Sequence, residues 1–134
     1  AFTGLARTRP RVLLVAGGVG IVPLRALLEE IPVQPGDTDL VYRARSWEDV
    51  VFRDELDALA AERQFTIHWL IGQRNMAPLR NDPLAPALFT RIVPDVRDRD
   101  VFVCGPPGMI AAVRRSMRAL GVPNRQIHEE RFAY

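Results

Sequence analysis

The sequence predicts an α/β fold: a five-stranded, doubly wound parallel sheet with helices on both faces, three layers in all. Three observations lead there. Short continuous apolar runs, such as Arg11-Val12-Leu13-Leu14-Val15-Ala16, mark strands buried on both faces. Between them lie segments whose leucines recur at helical spacing. Glycine and proline clusters punctuate the alternation, as βαβ crossovers require.

Residues 11–16 form the first strand, followed by Gly17-Gly18-Val19-Gly20. A helix is expected to begin near Val22 or Pro23, since proline is tolerated in a first turn. Leu24, Leu27, Leu28 and Ile31 continue it at helical spacing up to Pro32. Asp39 to Ala44 reads as the second strand, and Phe52 to Arg63 as a helix with Leu56, Leu59 and Ala60 on one face. Phe65 to Ile71, rich in aromatic and β-branched residues, is the third strand. A long connection from Gly72 to Pro86 leads into a short helix, Leu84 to Ile92. Asp100 to Cys104, Gly108 to Leu120 and Gln126 to Glu130 give a fourth strand, a helix and a fifth strand. A sheet of this kind takes ligands in the crevice beyond the carboxyl ends of its strands.

Composition narrows the chemistry. At 134 residues, with 25% charged and 48% hydrophobic residues, the chain suits one globular domain. All 18 basic residues are arginine, which excludes a Schiff-base lysine and the lysine of a phosphate-binding P-loop. These arginines interleave with acids, as in Arg53-Asp54-Glu55, so the net charge of +2 reads as a solvated mixed surface and not a nucleic-acid footprint. One cysteine, Cys104, excludes an intrachain disulfide and a CxxC metal site. His68 and His128 are too few and too far apart in sequence for an all-protein zinc site, so no metal is expected. No apolar run approaches the roughly 18 residues of a membrane-spanning helix, and no secretory signal is visible. A cytoplasmic location is expected, and the start at Ala1 suggests a processed or excised piece.

Three segments follow predicted strand ends. In the first, Gly17 to Pro23, glycines permit a left-handed backbone and a close ligand approach, and the helix start offers free N–H groups to a phosphate. The same glycines would equally serve a plain strand-to-helix turn. The Rossmann GxGxxG spacing is not met, because position 23 is proline. In the second, Tyr42 to Glu48, Arg43, Arg45 and Ser46 are placed to meet an adenosine ribose or its 2′-phosphate. Glu48 and Asp49 would favour an unphosphorylated ribose, and Ser46 or Asp49 would also suit a helix cap. The third, Cys104-Gly105-Pro106-Pro107-Gly108-Met109, is a rigid loop that reads as a wall for a flat ligand. With no activating partner near it in sequence, Cys104 reads as a small hydrophobe and not a nucleophile.

These segments resemble the pyridine-nucleotide domain of the ferredoxin–NADP reductase superfamily. Gly17 to Pro23 is similar to its GGxGxTP signature, and Tyr42 to Ser46 with Phe52 to Leu56 to its second strand and following helix. Cys104 to Met109 matches its CGPPxM loop, and Ile127 to Phe132 its IHxExF tail. The four occur in family order between residues 11 and 132. Asn81-Asp82-Pro83-Leu84 with Val93-Pro94-Asp95 further resembles the ferric-reductase-like branch.

The resemblance implies that residues 10–134 bind NAD(P)H, NADPH slightly favoured, for hydride transfer to FAD or FMN on a separate domain. Residues 1–9, opening Ala1-Phe2-Thr3-Gly4, would end or follow that flavin domain. The partners implied are this flavin domain and a one-electron acceptor: haem, an iron–sulfur protein or a ferric chelate. Any tie to a membrane would run through the parent protein. Gly18 and Gly20 would approach the pyrophosphate and Arg45 and Ser46 meet the adenosine half, with Gly17, Ile21, Val22, Pro23 and Arg43 also in the cofactor-binding set. Gly72 and Arg74, past the third strand, join the cofactor set. Cys104, Gly105 and Pro106 would border the nicotinamide, with Pro107 and Met109 also in the cofactor set, and Glu130 would lie near its junction with the flavin; Cys104, Glu130, Phe132 and Tyr134 are the candidate catalytic positions. Phe132 or Tyr134 would stack over the flavin and gate the nicotinamide, although Phe132 would equally suit a buried strand position. Val22 stands where the family has threonine. Two other classes remain: a methyltransferase, disfavoured by arginines where an acid should end the second strand, and a docking module that keeps the fold without a ligand.

Overall fold

The computed structural model describes residues 8–31, 34–73 and 83–131. Five strands form one parallel sheet: β1 (Val12–Gly17), β2 (Thr38–Ala44), β3 (Thr66–Ile71), β4 (Asp100–Gly105) and β5 (Ile127–Arg131). Their spatial order is β3-β2-β1-β4-β5. The helices are α1 (Ile21–Glu30), α2 (Arg53–Arg63), α3 (Pro86–Ile92) and α4 (Pro107–Ala119).

Alternation along β1 builds the two cores. Val12, Leu14 and Ala16 join Leu24, Leu27 and Leu28 of α1 and Leu56 of α2 in one cluster. Leu13 and Val15 join Phe89 of α3 and Ile110, Val113 and Met117 of α4 in the other. Side chains two apart share a face, so a strand apolar at every position needs helices on both sides. β1 and β4 are buried throughout, whereas β3, at the sheet edge, is only half-buried.

Most element starts lie within one residue of the sequence expectation, and the three helices α1, α2 and α3 differ in ways that matter locally. A 3₁₀ turn at Gly18–Gly20 runs straight into α1, which begins at Ile21, so Pro23 is its third residue. Pro23 still costs no helical hydrogen bond, because the first four N–H groups have no intrahelical acceptor. Phe52 does not open α2 but precedes it at φ 63°, left-handed, with the Arg25 guanidinium 4.5 Å from its ring centroid. Ser46 and Asp49 do not cap α2: the Ser46 hydroxyl donates to Asp49 Oδ2 at 3.1 Å. Leu84 precedes α3 in a turn, and its carbonyl accepts the Ser116 hydroxyl of α4 at 2.6 Å.

The amino edge of the sheet is closed by paired charges. Arg99, 5% exposed, donates from Nη1 to Asp39 Oδ1 at 2.8 Å and to the Val12 carbonyl at 3.0 Å. His68 Nε2 lies 2.7 Å from the other oxygen of Asp39. Asp100, fully buried, accepts from the Thr8 and Arg9 amides, from the Thr8 hydroxyl at 2.8 Å, and lies 3.2 Å from His128 Nε2. Buried carboxyl groups are costly without partners, and each of these two is ringed by donors.

Asp95 extends this network outward, accepting from Arg11 and from Arg99, each at 2.9 Å. Burial pushes its carboxyl up, but these hydrogen bonds and the Arg99 charge outweigh that and hold its pKa below the ordinary 3.8. Protons therefore bind the unfolded chain more tightly than the folded one. The stabilisation is complete above about pH 4 and fades as pH falls through the lower folded value. Asp95→Asn should be less stable than the wild type at pH 6. The gap in urea midpoint should close as pH falls below about 4; a gap constant with pH would contradict this assignment.

Candidate nucleotide cleft

The strand order reverses direction at β1: the chain winds outward to β2 and β3 on one side, then returns to β4 and β5 on the other. Helices after β1 and β4 leave on opposite faces, so the carboxyl ends cannot be roofed, and a crevice opens. Its volume is about 630 Å³. Gly17, Gly18 and Val19 form its floor; Arg43, Ala44, Arg45 and Asp49 one wall; Pro83, Leu84, Pro106, Gly108, Met109 and Ala112 the other.

Sterics account for the glycines here. A Cβ on Gly17 would stand 2.3 Å from Met109 Sδ, and one on Gly105 2.5 Å from Met109 Cε. The Met109 thioether therefore lies across the ends of β1 and β4, and a larger residue at either would drive it toward the cleft. Gly18 differs. Its φ of +57° is left-handed, and a Cβ there would meet no protein atom within 4 Å. Space that a side chain would fill is left open beside the start of α1, whose dipole favours an anion.

The opposite wall is charged. Arg45 is exposed, and Asp49, also exposed, lines the cleft with it. Arg43 is half-buried, and its Nη1 donates to the Ala44 carbonyl and, at 3.3 Å, to the Leu70 carbonyl. Tyr42 lies behind this wall with its hydroxyl hydrogen-bonded, and burial pushes its pKa above the ordinary phenol value. At neutral pH it is an intact O–H, both donor and acceptor.

The cleft thus gathers Gly17, Gly18, Arg43, Arg45, Pro106 and Met109 from the residues expected in the sequence. Gly20 is buried under the turn, and Ile21 is wholly inside the core, so its side chain faces away from any ligand. Val22 is 50% exposed and Pro23 half-buried on the first turn of α1. Gly105 lies beneath Met109, and Pro107 is exposed as the first residue of α4. Ser46 is engaged with Asp49, and the Gly72 amide donates to the Ala44 carbonyl at 3.0 Å. Arg74, Phe132, Tyr134, residues 1–7 and Asn81-Asp82 lie outside the described residues.

Cys104 sits one residue before the cleft, fully buried, beside Glu130 in the β4–β5 register. Burial, and then the Glu130 charge, push its thiol up to about 11. It is a protonated core residue, as its sequence context implied. Asp49 lines the cleft as the alternative ribose contact weighed in the sequence. Val19, Ala44, Pro83, Leu84, Gly108 and Ala112 were not among the expected contacts; Ala112 had no signal, because only the packing of α4 brings it there. Among the described residues no three His, Cys, Asp or Glu gather to hold a metal, and no helix is long and apolar enough to cross a membrane.

A model of the oxidoreductase NAD-binding domain matches residues 14–115. The chain belongs to this family. The NAD-binding domain is 36% identical over 124 residues to the ferredoxin reductase component of 3-ketosteroid-9-alpha-monooxygenase from Mycobacterium tuberculosis, across 90% of this chain and 33% of that protein. It is 33% identical over 134 residues to a flavohemoprotein of Pseudomonas putida, across 98% of this chain and 34% of that one. The chain spans about a third of the length of these curated relatives. Among solved structures, the flavohem-like FAD/NAD-binding domain of nitric oxide dioxygenase from Vibrio cholerae matches with TM-score 0.69 at 28% identity, covering 94% of this chain and 52% of that one. The cytochrome b5 reductase domain of Ulva prolifera nitrate reductase shares the fold, with TM-score 0.74 at 22% identity over 91% of this chain and 50% of that one. The five-stranded parallel sheet and the resemblance to the ferredoxin–NADP reductase superfamily both hold.

Two measurements test the site as built. Iodoacetamide at pH 8 should leave Cys104 of the native NAD-binding domain unmodified and label it in urea; fast native labelling would mean the thiol is neither buried nor protonated. Gly18→Ala should cost about 1 kcal/mol of stability from the left-handed backbone. It should weaken ADP binding by more, at least about tenfold, because the new methyl enters the open side of the turn.

Proposed function

We propose that this domain presents NADPH to FAD or FMN carried on a separate domain of its parent protein, within an oxidoreductase that passes electrons to a one-electron acceptor. The observation behind this reading is the cleft itself: an unfilled glycine turn at the start of α1 faces two arginines across the carboxyl ends of the central strands. That spacing of an anion cradle and guanidinium groups suits the diphosphate and the phosphorylated ribose of one dinucleotide. When bound, the nicotinamide supplies a hydride from C4 for transfer to flavin N5. The work of this chain is position. Gly18 leaves room for the diphosphate, Arg45 meets negative charge at the ribose, and Pro106 with Met109 forms the wall at the nicotinamide half.

Arg43 and Arg45 against Asp49 leave one positive charge in excess at the ribose mouth, which favours a 2′-phosphate. Calorimetric titration with 2′,5′-ADP, 5′-AMP and S-adenosylmethionine tests both the site and the preference. The wild type should bind 2′,5′-ADP more tightly than 5′-AMP. Arg45→Ala should weaken 2′,5′-ADP about tenfold or more and leave 5′-AMP nearly unchanged, as expected for one charge-assisted hydrogen bond. Equal affinity for the two nucleotides would turn the reading to NADH or dual use. Binding of neither would favour a docking module that keeps the fold, and S-adenosylmethionine binding would overturn the reading.

A further inference from the structure

The glycine floor of the cleft and its charged wall are joined by a residue that touches neither its volume nor, in the nucleotide reading, the ligand. Tyr42 is fully buried in β2, with its ring in the core cluster of α1 and α2. Its hydroxyl donates to the Gly18 carbonyl at 3.1 Å and accepts the Val51 amide at 2.9 Å. Gly18 belongs to the anion turn, and Val51 closes the loop that contains Arg45 and Asp49. One oxygen therefore holds both segments. The ring itself is clamped: Tyr42 stacks on Trp69 with centroids 5.5 Å apart, Trp69 meets Trp47 at 5.4 Å, and the Arg53 guanidinium lies 3.9 Å from the Trp47 centroid.

We infer that Tyr42 is a positioning residue that fixes the distance between the glycine turn and the Arg45–Asp49 loop. Its effect then falls on ligands that bridge both. A ligand held at one end meets its second contact at a high effective concentration only while the two contacts keep their spacing. A ligand that touches one wall has no such requirement. Removing the hydroxyl takes a hydrogen-bond partner from the Gly18 carbonyl and from the Val51 amide, and the two segments lose their common anchor. The inference rests on the nucleotide reading of the cleft.

The test compares the wild-type chain with Tyr42→Phe, titrated by NMR with ADP, with pyrophosphate and with adenosine. ADP carries a diphosphate and a ribose on one molecule; the other two probes offer one part each. ADP should bind about tenfold more weakly to Tyr42→Phe, while pyrophosphate and adenosine change less than twofold. Unchanged ADP affinity would overturn the inference. So would an equal loss for all three probes, which would report general loosening and not spacing. If Tyr42→Phe does not fold, Val51→Pro removes the amide at the other end of the bridge and must give the same ADP-selective loss. No saturable ADP binding by the wild type would overturn the nucleotide reading, and this inference with it.

Discussion

Everything in this fold hangs on β1 being buried on four sides. β2 and β4 flank it as parallel neighbours, and its alternate side chains enter two separate cores. A strand so placed must be apolar throughout and must connect to crossovers on opposite faces. The crevice at its carboxyl end is then unavoidable topology, and no residue had to be added to create it. What the sequence adds is chemistry at that opening: glycines where backbone must come close, and arginines where negative charge would lie.

The two edges of the sheet answer the same problem in opposite ways. Strand ends present backbone groups and polar side chains that need partners. At the amino edge Asp39, Arg99, His68 and Asp100 satisfy one another and the entering backbone, leaving that edge sealed. At the carboxyl edge Gly18 and the first turn of α1 have no such covering. An open, pre-shaped site at one end of the sheet and a charge-paired end at the other separate the two tasks: the first stays accessible while the second ties neighbouring strands together.

Much of this was legible in the chain. The strands were found within a residue or two: β1 and β4 by apolar runs that burial on both faces leaves without a period, and β3 by its aromatic and β-branched residues. The Gly-rich turn and the CGPPGM loop were visible because their backbones demand glycine and proline. Tyr42 was not: in sequence it is one more aromatic in a strand, and its hydroxyl acquires meaning only when Gly18 and Val51 come within reach. Phe52 shows the same limit, since nothing local announces that a phenylalanine will take a left-handed backbone. Ile21 shows it too: the motif places it at the turn, while its helical phase turns the side chain into the core.

The loop bearing Arg45 and Asp49 is exposed, whereas Tyr42, just before it, is buried. Exchanges at 45 and 49 disturb no packing and stay within the small penalties of surface positions. Mutation can therefore wander there and alter the charge at one mouth of the cleft while the scaffold is held constant by residues that scarcely tolerate change. Single exchanges at that rim change its charge and ask nothing of the sheet beneath it.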